Sequence, residues 1–158
     1  MRRLAPLLLL AACNARTLPG DIDPLPSNTR VRLAEVYADY DTWVQASEDE
    51  KNRAREFEAE WTGALRDGFL KEGRRLGILG DGPDALKVTI ALVDTYPGST
   101  LSNSWIGYGS GQAKANADVT IRKHGNFEMS VVIPNDAINE RLAELGKLIA
   151  QHINKRMR

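Results

Sequence analysis

Histidines, cysteines and closely spaced carboxylates are the side chains best suited to chemistry near neutral pH, and this chain has few of them. Its histidines are His124 and His152, and its single cysteine is Cys13. A metal centre would have to join the two histidines to carboxylates. His124 lies in a segment with turn composition and His152 on the polar edge of an amphipathic C-terminal stretch, so nothing in their spacing joins them. Asp39 and Asp41 share one side of an extended chain, where two acids could divide general acid and base roles, with Trp43 close behind. A solvated strand edge is the plainer reading of that pair. Asp81 and Asp84 flank Gly82 and Pro83 without the spacing of a calcium loop. Ser110 stands in Gly-Tyr-Gly-Ser-Gly, which is not the G-x-S-x-G spacing of a nucleophile elbow. No catalytic residue, metal site or cofactor is assigned.

Gly107, Gly109 and Gly111 are spaced like a phosphate loop. A dinucleotide loop needs a helix after its glycines, because the helix N-terminus holds the pyrophosphate. Here an alternating, strand-like segment follows. Gly107, Gly109, Gly111, Ala113, Ala115, Ala117, Val119 and Ile121 all fall on one side of an extended chain, and side-chain size rises along that side. Small side chains let another backbone come close, so we read these glycines as structural. Trp105, Ile106 and Tyr108 are carried on the same approach. They are a candidate partner surface, since Tyr and Trp are favoured at interfaces; burial at the end of the sheet is the alternative.

The first residues concern location. Arg2 and Arg3 precede a short apolar run that ends in Leu10, Ala11, Ala12 and Cys13. The run is far below the roughly 20 apolar residues of a membrane-spanning helix and has the form of an export signal. Leu-Ala-Ala-Cys after a basic start resembles the signal of bacterial lipoproteins. That resemblance implies cleavage before Cys13 and lipid on its sulfur; an ordinary signal peptide with an incidental cysteine is the alternative. A lone thiol in an exported chain calls for such an explanation, and several acyl chains together make a lasting anchor. Asn14, by the rule borrowed from such lipoproteins, favours the outer membrane, with the domain facing the periplasm. Lys and Arg total 21, as do Asp and Glu. Removing Arg2 and Arg3 with the leader leaves a slight acidic excess, which argues against nucleic acid and leaves no basic excess for anionic headgroups.

The remaining elements are read from periodicity. Residues 1–12 are the signal, 13–28 a lipidated N-terminus and proline-containing flexible tether, and 29–158 one domain. Thr29 to Val44 fits both a helix and a strand, and its Val, Tyr and Thr content favours a strand. Ser47 and Glu50 are spaced as a capping box. Ala54, Phe57, Trp61, Leu65 and Phe69 then form one helical stripe that should end near Gly73. Ala85 to Tyr96 reads as a central strand. Ala113 to Ile121 and Phe127 to Ile133 form a hairpin about Lys123–Asn126. Asn135 or Asp136 caps a last helix with the stripe Ile138, Leu142, Leu145, Ile149 and Ile153. The fold class expected is α+β: a mixed, mainly antiparallel sheet with two long amphipathic helices packed on it.

From about Ala85 onward, the Ile106–Ile121 segment, the hairpin and the final helix resemble a group of small bacterial lipoproteins whose G-x-G-x-G segment enters an alternating strand. These are similar in fold to the periplasmic α/β domains of the curli-secretion lipoprotein and of the TolB N-terminus. The resemblance carries no catalytic residues over. The function expected is a non-catalytic binding or assembly component at the outer membrane, with an envelope protein as partner. A glycan binder or envelope hydrolase built around Asp39, Asp41 and Trp43 is the alternative from another class, and a ring-forming homo-oligomer is a third reading.

Overall fold

A computed structural model describes residues 20–44, 46–93, 113–133 and 137–158. The ambiguous segment after Thr29 is a strand, β1 (Val31–Ala38), and a single 3₁₀ turn at Tyr40–Thr42 ends it. Helix α1 (Glu48–Leu76) begins where the capping pattern places it. Ser47 Oγ accepts from the Glu50 amide, and the Glu50 carboxylate accepts from the Ser47 amide at 2.8 Å. The helix runs past Gly73 and stops at Gly77, whose φ of 68° is the left-handed cap conformation open to glycine. Gly73 is instead an interior contact: a Cβ there would lie 2.7 Å from Leu79 Cδ2. Of the predicted stripe, Ala54, Trp61, Leu65 and Phe69 are buried, whereas Phe57 is 37% exposed and stacks on Trp61 at 5.7 Å.

Strand β2 (Leu86–Val93) returns parallel to β1. Strands β3 (Ala113–Ile121) and β4 (Gly125–Ile133) follow as an antiparallel hairpin, which makes a four-stranded mixed sheet in the order β1-β2-β3-β4. Its tight turn places Lys123 at φ 71° and Gly125 at φ 103°. Ala115, Ala117, Val119 and Ile121 are all buried, as their parity requires, together with Val88, Ile90 and Leu92 of β2. Helix α2 (Ile138–Arg156) buries Leu142, Leu145, Ile149 and Ile153. Its N-cap is Ala137, without a side-chain bond; the expected caps Asn135 and Asp136 lie outside the described residues. The fold is thus α+β, with the two helices packed on the sheet.

The two helices run parallel to each other, a point the periodicity left open. Asn139 of α2 bonds Glu60 of α1, Gly146 sits against Leu65 and Phe69, and Gln151 donates to Glu72 at 2.7 Å. Each step along α2 therefore matches a step in the same direction along α1. Both helices point their C-termini toward the end where β1, β2 and β4 begin. The Val31 amide bonds Ile78 just past α1 at 2.8 Å, and the Arg122 amide bonds Lys87 at 3.3 Å.

The domain boundary lies earlier than the tether reading set it. Gly20 to Asn28 is a strap bound to this same end, with Ile22 and Leu25 each 1% exposed. Two buried aliphatic side chains of this size contribute roughly 1.5–3 kcal/mol each, and that burial is why the strap belongs to the fold.

Candidate functional site

The strap is held by main-chain bonds first. The Asp23 amide donates to His124 at 2.8 Å, and the Leu25 amide to Arg156 at 2.8 Å. The Arg158 amide donates back to the Leu25 carbonyl at 2.8 Å, so Leu25 and Met157 form a short parallel bridge. Side chains complete the clasp. Arg156 donates to the Ile22 carbonyl through Nη2 at 2.7 Å and Nε at 3.2 Å. Asp21 Oδ1 meets His152 Nε2 at 2.9 Å, and Asp21 Oδ2 lies 3.4 Å from Arg156 Nη1. An ionised carboxylate only accepts, so the Nε2 of His152 carries the proton. The His152 bond first, then the Ile22 amide and the Arg156 charge, hold the Asp21 carboxyl below its usual range against its partial burial. Phe127 packs on the His152 ring at 4.4 Å between centroids. His152 is therefore a half-covered clasp residue rather than a free polar edge.

Beside the clasp lies a cleft of about 380 Å³, lined by Pro26, Arg30, Gly80, Gly82, Asp84 and His124 among others. A side chain at Gly82 would meet open space, while one at Gly80 would press on Arg30 at 2.7 Å. His124 lines the cleft and fastens the strap only through its carbonyl, whereas His152 fastens it with its ring. Among the described residues no group of three or more His, Cys, Asp or Glu side chains is arranged to hold a metal ion.

The charges of the domain are sorted along its length. At the strap end, the strand termini carry the exposed Arg30, Lys87, Arg122 and Lys123. The helix ends add the exposed Arg74, Arg75, Lys155 and Arg158. Acids at this end are Asp21, Asp23, Asp81 and Asp84. Two neighbouring pairs are already satisfied: Arg156 near Asp21, and Arg75 with Glu72, whose carboxylate accepts both Arg75 Nε at 2.8 Å and Nη2 at 2.7 Å. Those Arg75 bonds, followed by the one from Gln151, hold the Glu72 carboxyl down at about 2. At the far end, α1 opens with Glu48, Asp49 and Glu50, next to Asp39 and Asp41, and α2 opens with Glu140. Each helix thus has acids at its positive end and cations at its negative end. Because the helices are parallel, the two patterns add instead of cancelling.

No protein-family model matches the chain, and no curated protein or solved structure is significantly similar to it.

Cys13, Trp105, Ile106, Gly107, Tyr108, Gly109 and Gly111 are outside the described residues. Trp43 is 2% exposed, its ring packs on Tyr40 at 4.8 Å and its Nε1 donates to the Leu92 carbonyl at 3.3 Å. It cannot stack on a sugar without leaving the core. Asp39 accepts the Asp41 amide at the 3₁₀ turn, a capping role. Tyr40 bonds Glu58 at 3.0 Å, and burial followed by that bond drives its hydroxyl pKa strongly upward.

On the sheet face away from the helices, register aligns Tyr37, Ala91, Asp118 and Glu128 across the four strands. Asp118 Oδ1 is buried there with no partner among the described residues. Burial, then the charges of Asp39, Glu35 and Asp118, raises the Tyr37 hydroxyl pKa. Sequence reasoning missed the clasp because Ile22 and Leu25 stand among prolines. Their three-residue spacing was the one available signal.

Proposed function

We propose that this chain is a lipid-anchored component of a bacterial envelope that works through protein contacts rather than catalysis. The observation that carries the reading is the run Leu10-Ala11-Ala12-Cys13 behind Arg2, Arg3 and a short apolar stretch, with Cys13 the sole thiol of 158 residues. Two further features support it. No helix among the described residues is long and apolar enough to cross a membrane, so an attached lipid would be the means of holding the domain at a bilayer. Several of the chemistry-capable groups described above are also engaged structurally: His152 and Asp21 in the clasp, Glu72 between the helices, Asp39 in a cap and Trp43 in the core. Trp105, Ile106 and Tyr108 are the surface we assign to a partner, and the outer membrane is the assigned address.

Mass spectrometry of the protein extracted from native envelopes tests the anchor. The expected species starts at Cys13 and carries acyl chains. A mature chain with a free thiol, found wholly in the aqueous phase of a detergent partition, refutes it. Photo-crosslinking from Trp105 and Tyr108 in intact envelopes tests the partner surface. A discrete adduct is expected at those positions and not from Asp49. Identical patterns from all three would sink the assignment.

A further inference from the structure

We propose that the strap end of the domain is a docking surface for an anionic phospholipid bilayer, so that the domain stands on the membrane with its acidic end outward. The inference rests on the lipid anchor at Cys13 for its orientation and on the sorted charges for its chemistry.

The chain between the attachment sulfur and the fold is short. Cys13 and Gly20 are seven residues apart, and a step of that length spans at most about 25 Å when fully extended. The strap that begins at Gly20 is not free to pay out more chain. Ile22 and Leu25 are buried, and the bonds to His124, Arg156 and Arg158 fasten it to the hairpin turn and the end of α2. Whatever holds Cys13 at a bilayer therefore holds this end of the domain near the headgroups. The opposite end is farther away, since the 29 residues of α1 alone rise about 43 Å.

Charge then selects the orientation. The near end presents Arg30, Lys87, Arg122 and Lys123 from the strand termini and Lys155 and Arg158 from the end of α2, against the carboxylates Asp21, Asp23, Asp81 and Asp84, of which Asp21 is already engaged by His152 and Arg156. The far end presents Glu48, Asp49, Glu50, Asp39, Asp41 and Glu140, against Lys51, Lys114 and Arg141, of which Lys51 pairs with Glu48 and Arg141 with Glu144. An anionic surface attracts the first set and repels the second, and the effect is felt within a Debye length of about 10 Å. Fully extended, the tether reaches beyond that range, so the basic end enters it when the tether is slack, while the acidic end stays about 43 Å farther along the domain. Composition conceals this, because the total charge is balanced and only parallel helices put both basic termini at one end.

The test uses the mature chain from residue 13 onward carrying Cys13→Ser, which removes lipid attachment and leaves the surface intact. Flotation with vesicles of phosphatidylcholine containing phosphatidylglycerol is compared with phosphatidylcholine alone at low ionic strength. Binding to the anionic vesicles only, lost at 0.5 M salt, is expected. Lys123→Gln with Arg122→Gln and Lys155→Gln should lower the partition coefficient by up to about a hundredfold, at roughly fivefold per basic residue near the surface. Arg30→Gln with Lys87→Gln provides a second set in case the first fails to fold. A fluorophore on Lys155→Cys should be quenched by a headgroup quencher far more than one on Asp41→Cys.

Equal flotation on both vesicle types, unchanged flotation of both charge variants, or equal quenching at the two positions overturns the proposal. Retention of duplex DNA at physiological salt without flotation would also overturn it, in favour of nucleic acid. The anchor is scored separately: the native protein should float with neutral vesicles regardless of salt. Its failure there, with the Cys13→Ser result intact, would remove the lipid and not the surface.

Discussion

Replacing Gly146 by alanine adds one methyl group where α2 lies closest to α1. A Cβ at Gly146 would sit 2.1 Å from the Leu65 carbonyl oxygen and 2.7 Å from the Phe69 nitrogen. Both neighbours are helix backbone and cannot rotate aside, so the helices must separate by more than 1 Å to reach ordinary contact. That separation loosens an interface in which Leu65, Phe69, Leu145 and Ile149 are 0% exposed. Overpacking of this kind costs about 1–3 kcal/mol, while the better helix propensity of alanine returns up to about 1 kcal/mol. The net expectation is a loss of about 1–2 kcal/mol.

The same reasoning makes Gly68→Ala at least as harmful, since its Cβ would lie 1.9 Å from the Ala143 carbonyl oxygen. It makes Gly63→Ala stabilising by up to about 1 kcal/mol, because nothing lies within 4 Å of that position. Urea unfolding followed by tryptophan fluorescence and far-UV circular dichroism would read all three. With a slope of about 1–3 kcal/mol per molar urea, a loss of 1 kcal/mol lowers the midpoint by roughly 0.3–1 M. The double variant Gly68→Ala with Gly146→Ala should cost less than the sum, since one separation serves both. A Gly146→Ala protein as stable as the parent, alongside a stabilised Gly63→Ala, would refute the close parallel packing of the helices.

Two other outcomes follow from the same structure. Ala115→Leu should destabilise the domain by at least about 1 kcal/mol, since Ala115 is 0% exposed on the helix-covered face of β3; superimposable urea melts would contradict this. Glu72→Gln should lower the urea midpoint at pH 7, because the carboxylate bridges Arg75 and Gln151. The folded Glu72 carboxyl is depressed from 4.5 to about 2. Its contribution is therefore fully present above pH 4.5 and fades as pH falls toward 2, where parent and variant should converge. Arg75 is 65% exposed, so water screens the pair and the effect should weaken in high salt; a difference unchanged between pH 7 and pH 2 would rule this account out.

Much of the architecture was legible because period and capping are local. The Ser47–Glu50 box, the parity of Ala115 to Ile121 and the stripe of α2 each depend on residues a few positions apart, and each was found where the pattern put it. The errors share a cause. Gly73 looks like a stop in sequence, but only Gly77 adopts the left-handed cap, and what fills the space beside Gly73 is Leu79, arriving from the next segment. Phe57 fits the stripe by spacing yet faces water beside Trp61. Asp39 and Trp43 could have formed an acid-and-aromatic cleft until the sheet claimed Trp43 for the core.

By itself, then, the sequence determined the two amphipathic helices and the hairpin. Those features are written in neighbouring residues. The tertiary structure alone decided that the helices run parallel, that Gly20 to Asn28 closes onto the end of α2, and that a chain of balanced charge has one basic and one acidic end. Charge summed along a chain has no direction; it acquires one only when the fold assigns each terminus of each element to a place in space.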